Sequence, residues 1–454
     1  MNERDENWLG RLLTAGESER VEFKEQLGNE SLETVAAFAN TRGGTLLIGV
    51  ADDGTVEGVT LGKESLRDWA NRIAQATRVH PQILPFPYQG RTVMVLEVPE
   101  SPLKPVPCRG RYFKRVGSSN RQMTDDDLTR AVLGSVGMTW DEAIEPRATL
   151  DDLNLEQMQR FRKLCNLKGR RSIPSDEENL AVLEKLGLLQ EGNLNRAAVL
   201  LFGRNPQRFY PQARVRVGRF RAEAVIVDDR EIVGTLFDQV EAVMAYFRER
   251  LQTRFAFHDA AARDVLWEYP LEALREAIIN AVCHRDYLDN GHVQVRWRDE
   301  RIVFLNPGGL PEPLRVEDLK REHRSVLRNR KIAEVFFYAG FIEQWGSGTL
   351  RMIRECVEAS LPEPEFEERQ EALWVTFRKD ILTKDHLQAM GLKERPIKAM
   401  LFAREQGRVT NRDYRQLNQV SNKTAYLELG ELMAKGLLKR QGAGKAVEYI
   451  LVTG

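Results

Sequence analysis

The chain has 454 residues, with 67 basic and 67 acidic side chains, and 42% of its residues are hydrophobic. At roughly 150 residues per domain this length predicts about three domains, and a formal net charge of zero argues against a protein that coats nucleic acid. Four widely separated cysteines without a CxxC pair argue against a zinc ribbon and a disulfide framework. Because no segment resembles a signal peptide or the ~20 apolar residues of a membrane span, we expect a cytoplasmic protein that does not contact membranes.

Residues 1–135 alternate between helix and strand patterns, which predicts an α/β domain. A short helix through residues 32–39 precedes a glycine turn and the apolar run TLLIGV at 45–50, which predicts a buried strand. A further helix is predicted at 65–79 and further strands at 93–98 and 111–116.

The predicted strand at 111–116 belongs to a basic segment that contains no acidic residue. On a strand, Arg111, Phe113 and Arg115 share one face, and cations with interleaved aromatic rings suit phosphate contact and base stacking. Ser118 and Asn120 follow and can donate hydrogen bonds to a phosphate. The alternative is a charged edge strand that prevents aggregation. The cations of this segment are Arg109, Arg111, Lys114, Arg115 and Arg121.

Three blocks in this region carry a family resemblance. They are GESERVEFK at 16–24, AFANTRGGTLLIGVADDG after it, and RYFKRVGSSNRQMT from residue 111. The blocks resemble the Schlafen AlbA-like domain family over most of residues 10–135. The resemblance implies binding of DNA or RNA, and prokaryotic members of the family are often described as transcriptional regulators.

The same resemblance implies an enzymatic alternative. Schlafen-type RNases use three acidic residues, and the matching positions here are Glu17, Glu22 and Asp52. Three carboxylates could hold one or two Mg²⁺ or Mn²⁺ ions and activate water for phosphodiester cleavage. The competing interpretation is structural, with Glu22 and Asp52 pairing with Lys24 or capping a turn.

Residues 136–260 are predicted to form a linker and a middle α/β region, with a β-rich core at 197–202 and 215–220. This region contains a second basic stretch in which arginines alternate with valines, as on a half-buried strand. The arginines could extend a nucleic-acid track, form an interdomain salt-bridge surface or line a dimer edge. They are Arg204, Arg208, Arg214, Arg216, Arg219 and Arg221.

Residues 261–380 begin with a predicted long helix at 271–284 and continue with strands near 293–297 and 302–305. The blocks LREAIINAVCHRDY, NPGGLP and QWGSGTLRMI resemble a domain of RecG-related, ATP-dependent helicase-like proteins, which belongs with the GHKL ATPases. The resemblance implies a degenerate GHKL-like α/β sandwich with ATP as a candidate ligand. No Walker A motif occurs in the chain, which excludes a P-loop helicase motor.

The GHKL resemblance implies roles for individual residues. Glu276 would polarise the attacking water, and Asn280, one helical turn later, would join the Mg²⁺ shell. Asn306 stands where the class has an adenine-reading Asp, while His284 and Arg285 lie within reach of an anion. The alternative is a GHKL-like fold that has lost nucleotide and serves as a scaffold or dimerisation domain. The candidate nucleotide-binding residues are Glu276, Asn280, Asn306, Gly308, Gly346, Gly348 and Thr349.

Residues 381–454 contain three helical segments and a basic hairpin, which together are typical of a winged helix-turn-helix. The third helix would enter the major groove of DNA with Asn422, Lys423 and Tyr426. The alternative is a winged helix used for protein contact, because Glu428 and Glu431 lie on the same helix. The candidate phosphate contacts of the hairpin are Lys439, Arg440 and Lys445.

The combined prediction is an α+β multidomain protein divided at 1–135, 136–260, 261–380 and 381–454. We expect a DNA-binding transcriptional regulator that acts as a homodimer, with a nucleotide-sensing GHKL-like domain. Two enzymatic alternatives remain: a metal-dependent endoribonuclease, and a GHKL-type ATPase that gates DNA binding.

Overall fold

Helices and strands alternate along the first part of the chain. The computed structural model describes residues 6–62, 64–221, 225–259, 262–311, 313–343, 346–359, 361–379, 382, 384–442 and 447–452. The chain divides into two units, Met1–Ala143 and Ile144–Gly454. The elements of the first unit are α1 (Glu6–Ala15), β1 (Val21–Lys24), α2 (Asn29–Asn40), β2 (Gly44–Ile48), α3 (Ser65–Thr77), β3 (Gln82–Tyr88), β4 (Arg91–Val98), β5 (Pro107–Cys108), β6 (Arg111–Val116), β7 (Ser119–Gln122) and α4 (Asp125–Ser135).

A four-stranded sheet in the order β1-β2-β4-β3 forms the centre of this unit, with β1 parallel to β2 and the other pairs antiparallel. Both faces of the sheet are covered, because successive side chains of a strand point to opposite faces. Leu46 and Ile48 pack in the cluster that contains α2, whereas Leu47 packs with Leu9 of α1 and Phe23 of β1. The buried run at 45–50 therefore behaves as the predicted strand.

A second, three-stranded sheet in the order β5-β6-β7 packs on α2. Asn40, at the end of α2, joins the helix to this sheet, since its Nδ2 donates to the carbonyl oxygens of Val106 and Phe113 at 2.9 Å each. Its Oδ1 accepts from the Val106 amide at 2.6 Å. The buried side-chain amide of Asn40 thus fixes the orientation of β6 relative to α2.

The second unit contains most of the chain. Its elements are α5 (Leu155–Lys168), α6 (Asn179–Lys185), β8 (Leu189–Gln190), β9 (Asn193–Leu194), α7 (Arg196–Phe202), β10 (Val215–Arg221), β11 (Val225–Ile232), α8 (Leu236–Arg250), β12 (Thr253–Asp259), β13 (Ala262–Trp267), α9 (Leu271–His284), β14 (Val293–Trp297), β15 (Arg301–Pro307), α10 (Arg330–Tyr338), α11 (Gly348–Glu358), β16 (Glu365–Arg369), β17 (Ala372–Arg378), α12 (Lys384–Ala389), α13 (Glu394–Gln406), α14 (Asn411–Asn418), α15 (Asn422–Ala434), β18 (Leu438–Gln441) and β19 (Glu448–Leu451).

A six-stranded sheet in the order β11-β10-β14-β15-β17-β16 organises this unit. The β10–β14 pair is parallel and the other pairs are antiparallel. Helices α8, α9 and α11 lie on one face, where Phe247 of α8 packs on Trp297 and Phe304 with ring centroids 6.0 and 6.2 Å apart. The sheet and these helices form an α/β sandwich. The opposite face of the sheet is not covered by α8, α9 or α11.

Two predictions for the middle of the chain require correction. Residues 197–202 are not strand but lie in α7, which Asn195 caps by accepting a hydrogen bond from the Ala198 amide at 2.9 Å. All six residues are buried, and a short helix buried on every side has the same unbroken apolar pattern as a buried strand.

The second correction concerns the boundary between residues 260 and 261. Strands β10 and β11 precede that boundary and β14–β17 follow it, yet all six belong to one sheet. The first unit ends at Ala143, eight residues beyond the predicted end at 135.

Residues 384–452 contain four helices and the β18–β19 hairpin around a core of their own, which includes Ile397, Tyr414, Leu429 and Tyr449. Thr410 and Ser421 cap α14 and α15 by accepting amide hydrogen bonds at 3.2 Å each. Lys445 lies outside the described residues. Among the helices that the structure describes, none is long and apolar enough to cross a membrane.

Candidate functional site

One cavity in the second unit collects all seven candidate nucleotide-binding residues. Its volume is about 380 Å³, within the range of small-molecule sites. It lies on the helix-covered side of the six-stranded sheet, between α9, the end of β15 and the start of α11. The seven residues that the structure brings together here are Glu276, Asn280, Asn306, Gly308, Gly346, Gly348 and Thr349.

Helix α9 supplies the acidic side of the cavity. Glu276 and Asn280 lie one turn apart, and Nδ2 of Asn280 donates to Oε1 of Glu276 at 3.1 Å. Only 8% of Glu276 is exposed. Burial raises the pKa of the Glu276 carboxyl, and the positive charge of Arg351 partly opposes this effect. A buried carboxyl with a raised pKa is suited to proton transfer.

Glycines allow α11 to approach α9 closely. A Cβ on Gly348 would lie 2.3 Å from Oε1 of Glu276 and 3.2 Å from Nδ2 of Asn280, so no side chain fits there. Gly346 has a φ of +66°, and a Cβ on it would lie 2.3 Å from the carbonyl oxygen of His323. The start of α11 therefore presents bare backbone to the cavity, and N–H groups at a helix start bind anions.

Two polar atoms of the cavity wall are buried without a hydrogen-bond partner among the described residues. They are Oδ1 of Asn306 and Oγ1 of Thr349. Leaving buried polar atoms unpaired costs free energy, which a ligand with matching groups would recover. Apolar side chains such as Leu310, Phe337 and Met352 complete the wall. The set fits an adenine nucleotide: apolar surface for the base, an amide oxygen for its amino group, and Oδ1 of Asn280 for Mg²⁺.

His284 also lines this cavity, but Arg285 does not. Burial and the nearby Arg328 charge lower the pKa of His284 to about 4, so its imidazole is neutral at pH 7. Arg285 was expected within reach of an anion, yet it is 1% exposed. Its Nη2 donates to the carbonyl oxygens of Asp289, at 2.7 Å, and Gly291. Arg285 therefore holds the loop between α9 and β14.

In the first unit, the three candidate catalytic acids surround a lysine. The ammonium nitrogen of Lys24 lies 3.0 Å from Oε1 of Glu22 and 3.7 Å from Oδ1 of Asp52. Oε1 of Glu17 accepts a hydrogen bond from the Phe23 amide at 2.9 Å. The negative charges of Glu22, Glu17 and Asp52 contribute to raising the pKa of Lys24, against the lowering effect of its burial.

This arrangement does not fit a metal ion. The Glu22 carboxylate is also paired with Nη1 of Arg115 at 2.9 Å, so two cations neutralise it. Across the described ranges, no group of three or more His, Cys, Asp or Glu side chains could hold a metal. The ammonium group of Lys24 already neutralises these acids, which is the role that a divalent cation would otherwise have.

The basic strand β6 is oriented differently from the expectation. Phe113 and Arg115 face α2 and are buried, and the Arg115 side chain is 0% exposed. Its guanidinium donates to Oδ1 of Asn120 at 2.8 Å and to the Ser18 carbonyl at 2.7 Å. Arg115 therefore lies in the interior and not on a phosphate-binding surface, and Asn120 holds it there.

The remaining cations of the basic segment differ in their availability. Nζ of Lys114 pairs with Oδ1 of Asp127 in α4 at 2.8 Å, and Nη1 of Arg109 donates to Oδ1 of Asn29 at 2.5 Å. Arg111, Ser118 and Arg121 are exposed. The candidate binding surface of the first unit therefore consists of Arg111, Ser118 and Arg121 on the β5-β6-β7 sheet.

The candidate DNA-reading residues of α15 are all exposed. Asn422 and Lys423 occupy the first turn, and Tyr426 follows with 62% exposure. Glu428 turns away from this surface, since it pairs with Arg395 and accepts a hydrogen bond from the Tyr414 hydroxyl at 2.7 Å. In the hairpin, Lys439 and Arg440 are exposed, as is Gln441.

Comparison with protein families assigns two of these regions. Residues 17–124 match the family model described as Schlafen, AlbA_2, and residues 290–377 match the one described as "Putative ATP-dependent DNA helicase recG C-terminal". The chain combines a Schlafen AlbA-like domain with a RecG-related, ATPase-type domain. Residues 134–216 match a domain of unknown function (DUF8451).

One solved structure that is similar to the chain is the DIP2311 protein from Corynebacterium diphtheriae. The two share 20% identity over 98% of this chain and 96% of that chain, with a TM-score of 0.46. No curated protein matches the chain. The two domain matches confirm both family resemblances and indicate a function related to nucleic acid.

The RecG-related domain contains cavity residues that no motif revealed. Leu319, His323 and Val326 line the cavity from the segment between β15 and α10. These three residues lie beyond the NPGGLP block, in a stretch without a periodic apolar pattern, so their contribution depends on the tertiary fold. In the Schlafen AlbA-like domain, Asp127 was also missed, although its place three residues after Thr124 is that of a capping box.

Proposed function

We propose that this protein is a nucleic-acid-binding transcriptional regulator whose RecG-related domain binds an adenine nucleotide. The observation that carries the nucleotide part is the convergence of all seven motif residues on one cavity with two unpaired buried polar atoms. Three separate sequence blocks supply these residues. Asn306 and Thr349 each keep a buried polar atom unpaired among the described residues, which a bound nucleotide would satisfy.

The nucleic-acid part of the proposal is supported by the family match of the first unit and by the C-terminal segment. Asn422, Lys423 and Tyr426 project from the start of a capped helix, which is how a winged helix reads the major groove. Lys439 and Arg440 lie in the hairpin that would act as the wing. Arg111 and Arg121 offer further phosphate contacts in the first unit.

We propose that the regulator acts as a symmetric homodimer, because winged-helix proteins commonly bind paired half-sites with two-fold symmetry. ATP binding would then change the affinity of the dimer for DNA. Sedimentation velocity tests the first statement, and titration of DNA with and without ATP and Mg²⁺ tests the second. A monomer at micromolar concentration, or a DNA affinity that ATP leaves unchanged, would contradict the respective statement.

The central experiment separates binding from cleavage. Purified protein is incubated with labelled duplex DNA and with structured RNA, in Mn²⁺ or in EDTA, and analysed on native and denaturing gels. We expect shifted but intact nucleic acid under both conditions. Isothermal titration with ATP and Mg²⁺ should show binding to the wild type that Asn280→Ala abolishes. Asn193→Ala, in the exposed β8–β9 hairpin, is the matched control and should bind as the wild type does.

A further inference from the structure

The six-stranded sheet has a second face, opposite the nucleotide cavity, that no function described so far uses. Its side chains alternate with those that face α8 and α9: on β10 they are Arg216 and Phe220, and on β14 they are Gln294 and Arg296, with Arg298 directly after the strand. A cavity of about 310 Å³ lies between these two strands and β11. The basic stretch around Arg216, noticed in the sequence, thus lies on the open face of a sheet.

On this face an aromatic ring packs against a glycine. Gly218 and Phe220 are neighbours on the same face of β10, and a Cβ on Gly218 would lie 2.9 Å from Cε2 of Phe220. The absence of a side chain at 218 therefore lets the ring lie over the strand backbone. The guanidinium of Arg298 lies 5.7 Å from the centroid of that ring.

A second ring with cations lies on the same face, three strands away. Trp374 of β17 has the guanidinium of Arg369 at 3.7 Å and that of Arg296 at 5.2 Å from its ring. Nε1 of Trp374 is buried and finds no hydrogen-bond partner among the described residues. Arg296, on the central strand β14, lies between the two aromatic groups.

The arginines of this face have few acidic partners. Asp229 and Arg216 neutralise each other, with Nε of Arg216 donating to Oδ1 of Asp229 at 2.8 Å. Nη2 and Nε of Arg296 donate hydrogen bonds to Oε1 of Gln294 at 2.7 and 3.0 Å. In the described ranges Arg296 has no ion pair with an acid. Burial, and then the charges of Arg298 and Arg369, lower the pKa of Arg296. Arg369 itself pairs with Glu367 at 3.7 Å, which leaves Arg296 and Arg298 as the cations of this face without an ion pair in the described ranges.

We propose that this face binds single-stranded nucleic acid, with bases stacked on Phe220 and Trp374 and phosphates held by Arg296 and Arg298. Flat aromatic rings interleaved with arginines are the arrangement by which proteins bind single strands without reading sequence. A duplex does not fit the same role, because its bases are already stacked on each other. The positive charges of Arg296 and Arg298, which have no acidic partner in the described ranges, favour a phosphate anion that accepts hydrogen bonds.

This inference goes beyond the proposed function and is separable from it. The proposed regulator contacts duplex DNA through α15 and the β18–β19 hairpin, whereas the open sheet face would take a strand whose bases are exposed. RNA and DNA single strands share this chemistry, so both serve as probes.

The test is fluorescence anisotropy with labelled 15-nucleotide DNA and RNA single strands and with the corresponding DNA duplex. Phe220→Leu keeps an apolar side chain but removes the ring, and it should weaken single-strand binding about tenfold, as expected for one lost stacked base. Gly218→Ala keeps the ring but displaces it, and it should have a similar effect. Arg298→Gln should weaken binding and lower the salt slope by about 0.7, the value of one phosphate contact on a single strand.

Arg248→Gln, on the exposed part of α8, is the matched control and should bind single strands as the wild type does. Arg298 is only half-buried, so its replacement leaves the fold intact, which the thermal unfolding midpoint verifies for each variant. Equal single-strand affinity in Arg298→Gln, Phe220→Leu and Arg248→Gln overturns the inference. Wild-type binding to duplex alone also overturns it but leaves the proposed function standing, whereas binding to neither probe overturns both.

Discussion

The ammonium nitrogen of Lys24 lies 3.0 Å from Oε1 of Glu22, and Nη1 of Arg115 lies 2.9 Å from the other oxygen of the same carboxylate. Glu22 is therefore held between two cations inside the Schlafen AlbA-like domain. The motif residue that resembles a catalytic acid acts in this structure as the counter-charge of a buried arginine.

Glu22→Gln should destabilise the protein by about 3 kcal/mol or more, because it leaves the Arg115 guanidinium buried without a negative partner. Chemical denaturation at pH 7 measures the change. Asp52→Asn is the control: its side chain is 83% exposed, and we expect a change within about 0.5 kcal/mol. An equal decrease in the free energy of unfolding in the two variants would show that the buried Glu22–Arg115 pair contributes no more to stability than the exposed Asp52.

Structured RNA should remain intact in Mn²⁺, because Lys24 lies among the acids that a metal would need. A denaturing gel after prolonged incubation measures this, with EDTA as the parallel condition. Metal-dependent cleavage that disappears in the Glu17→Ala, Asp52→Ala double variant would contradict the prediction and establish a nuclease.

Gly348→Ala should abolish nucleotide binding, since the added methyl group would lie 2.3 Å from Oε1 of Glu276 and push α11 away from α9. Isothermal titration with ATP and Mg²⁺ measures the loss. Gly430→Ala in α15 is the matched control, because no atom lies within 4 Å of its added Cβ. That change should leave nucleotide binding intact and stabilise the helix by roughly 0.5–1 kcal/mol. Wild-type affinity in Gly348→Ala would argue against the cavity as the site.

Stability should fall between pH 6.5 and pH 4 through His284. Its pKa in the folded protein is about 4, below its ordinary value of 6.5, so the unfolded chain binds the proton more readily over this interval. The contribution of His284 is complete above pH 6.5 and is lost as the pH falls, by about 3 kcal/mol at most. Urea denaturation of the wild type and of His284→Gln at several pH values isolates this contribution by difference. A difference that does not vary with pH would contradict the assignment.

Much of the fold could be predicted from local patterns. The helix at 271–284 was predicted at its observed bounds, because its apolar period and its glycine- and proline-poor sequence are both helical. The strand at 293–297 was also found at its predicted position, and the C-terminal region contains three helices, as expected, preceded by the short helix α12. These segments have strong periodicity or clear caps, so tertiary contacts do not need to override the local preference.

The orientation of individual side chains was less predictable. Alternation along β6 places Phe113 and Arg115 on the same face, as the structure has them, but it does not show which face packs on α2. Cations occur on both faces, so the pattern does not select the buried one, and Glu22 and Asn120 provide Arg115 with buried partners. Those partners lie 93 and five residues away in the chain, and only the first requires the tertiary fold.

The six-stranded sheet has a consequence for how this protein can be divided and recombined. The matched segments end at residue 216 and begin again at residue 290, so a cut between them would separate β10 from β14, its parallel neighbour. Either fragment would present an unpaired strand edge and would tend to aggregate. Residues 215–378 therefore form one structural unit that cannot be divided without breaking the sheet. An expression fragment or a natural fusion that retains the cavity beside α9 should include this whole range.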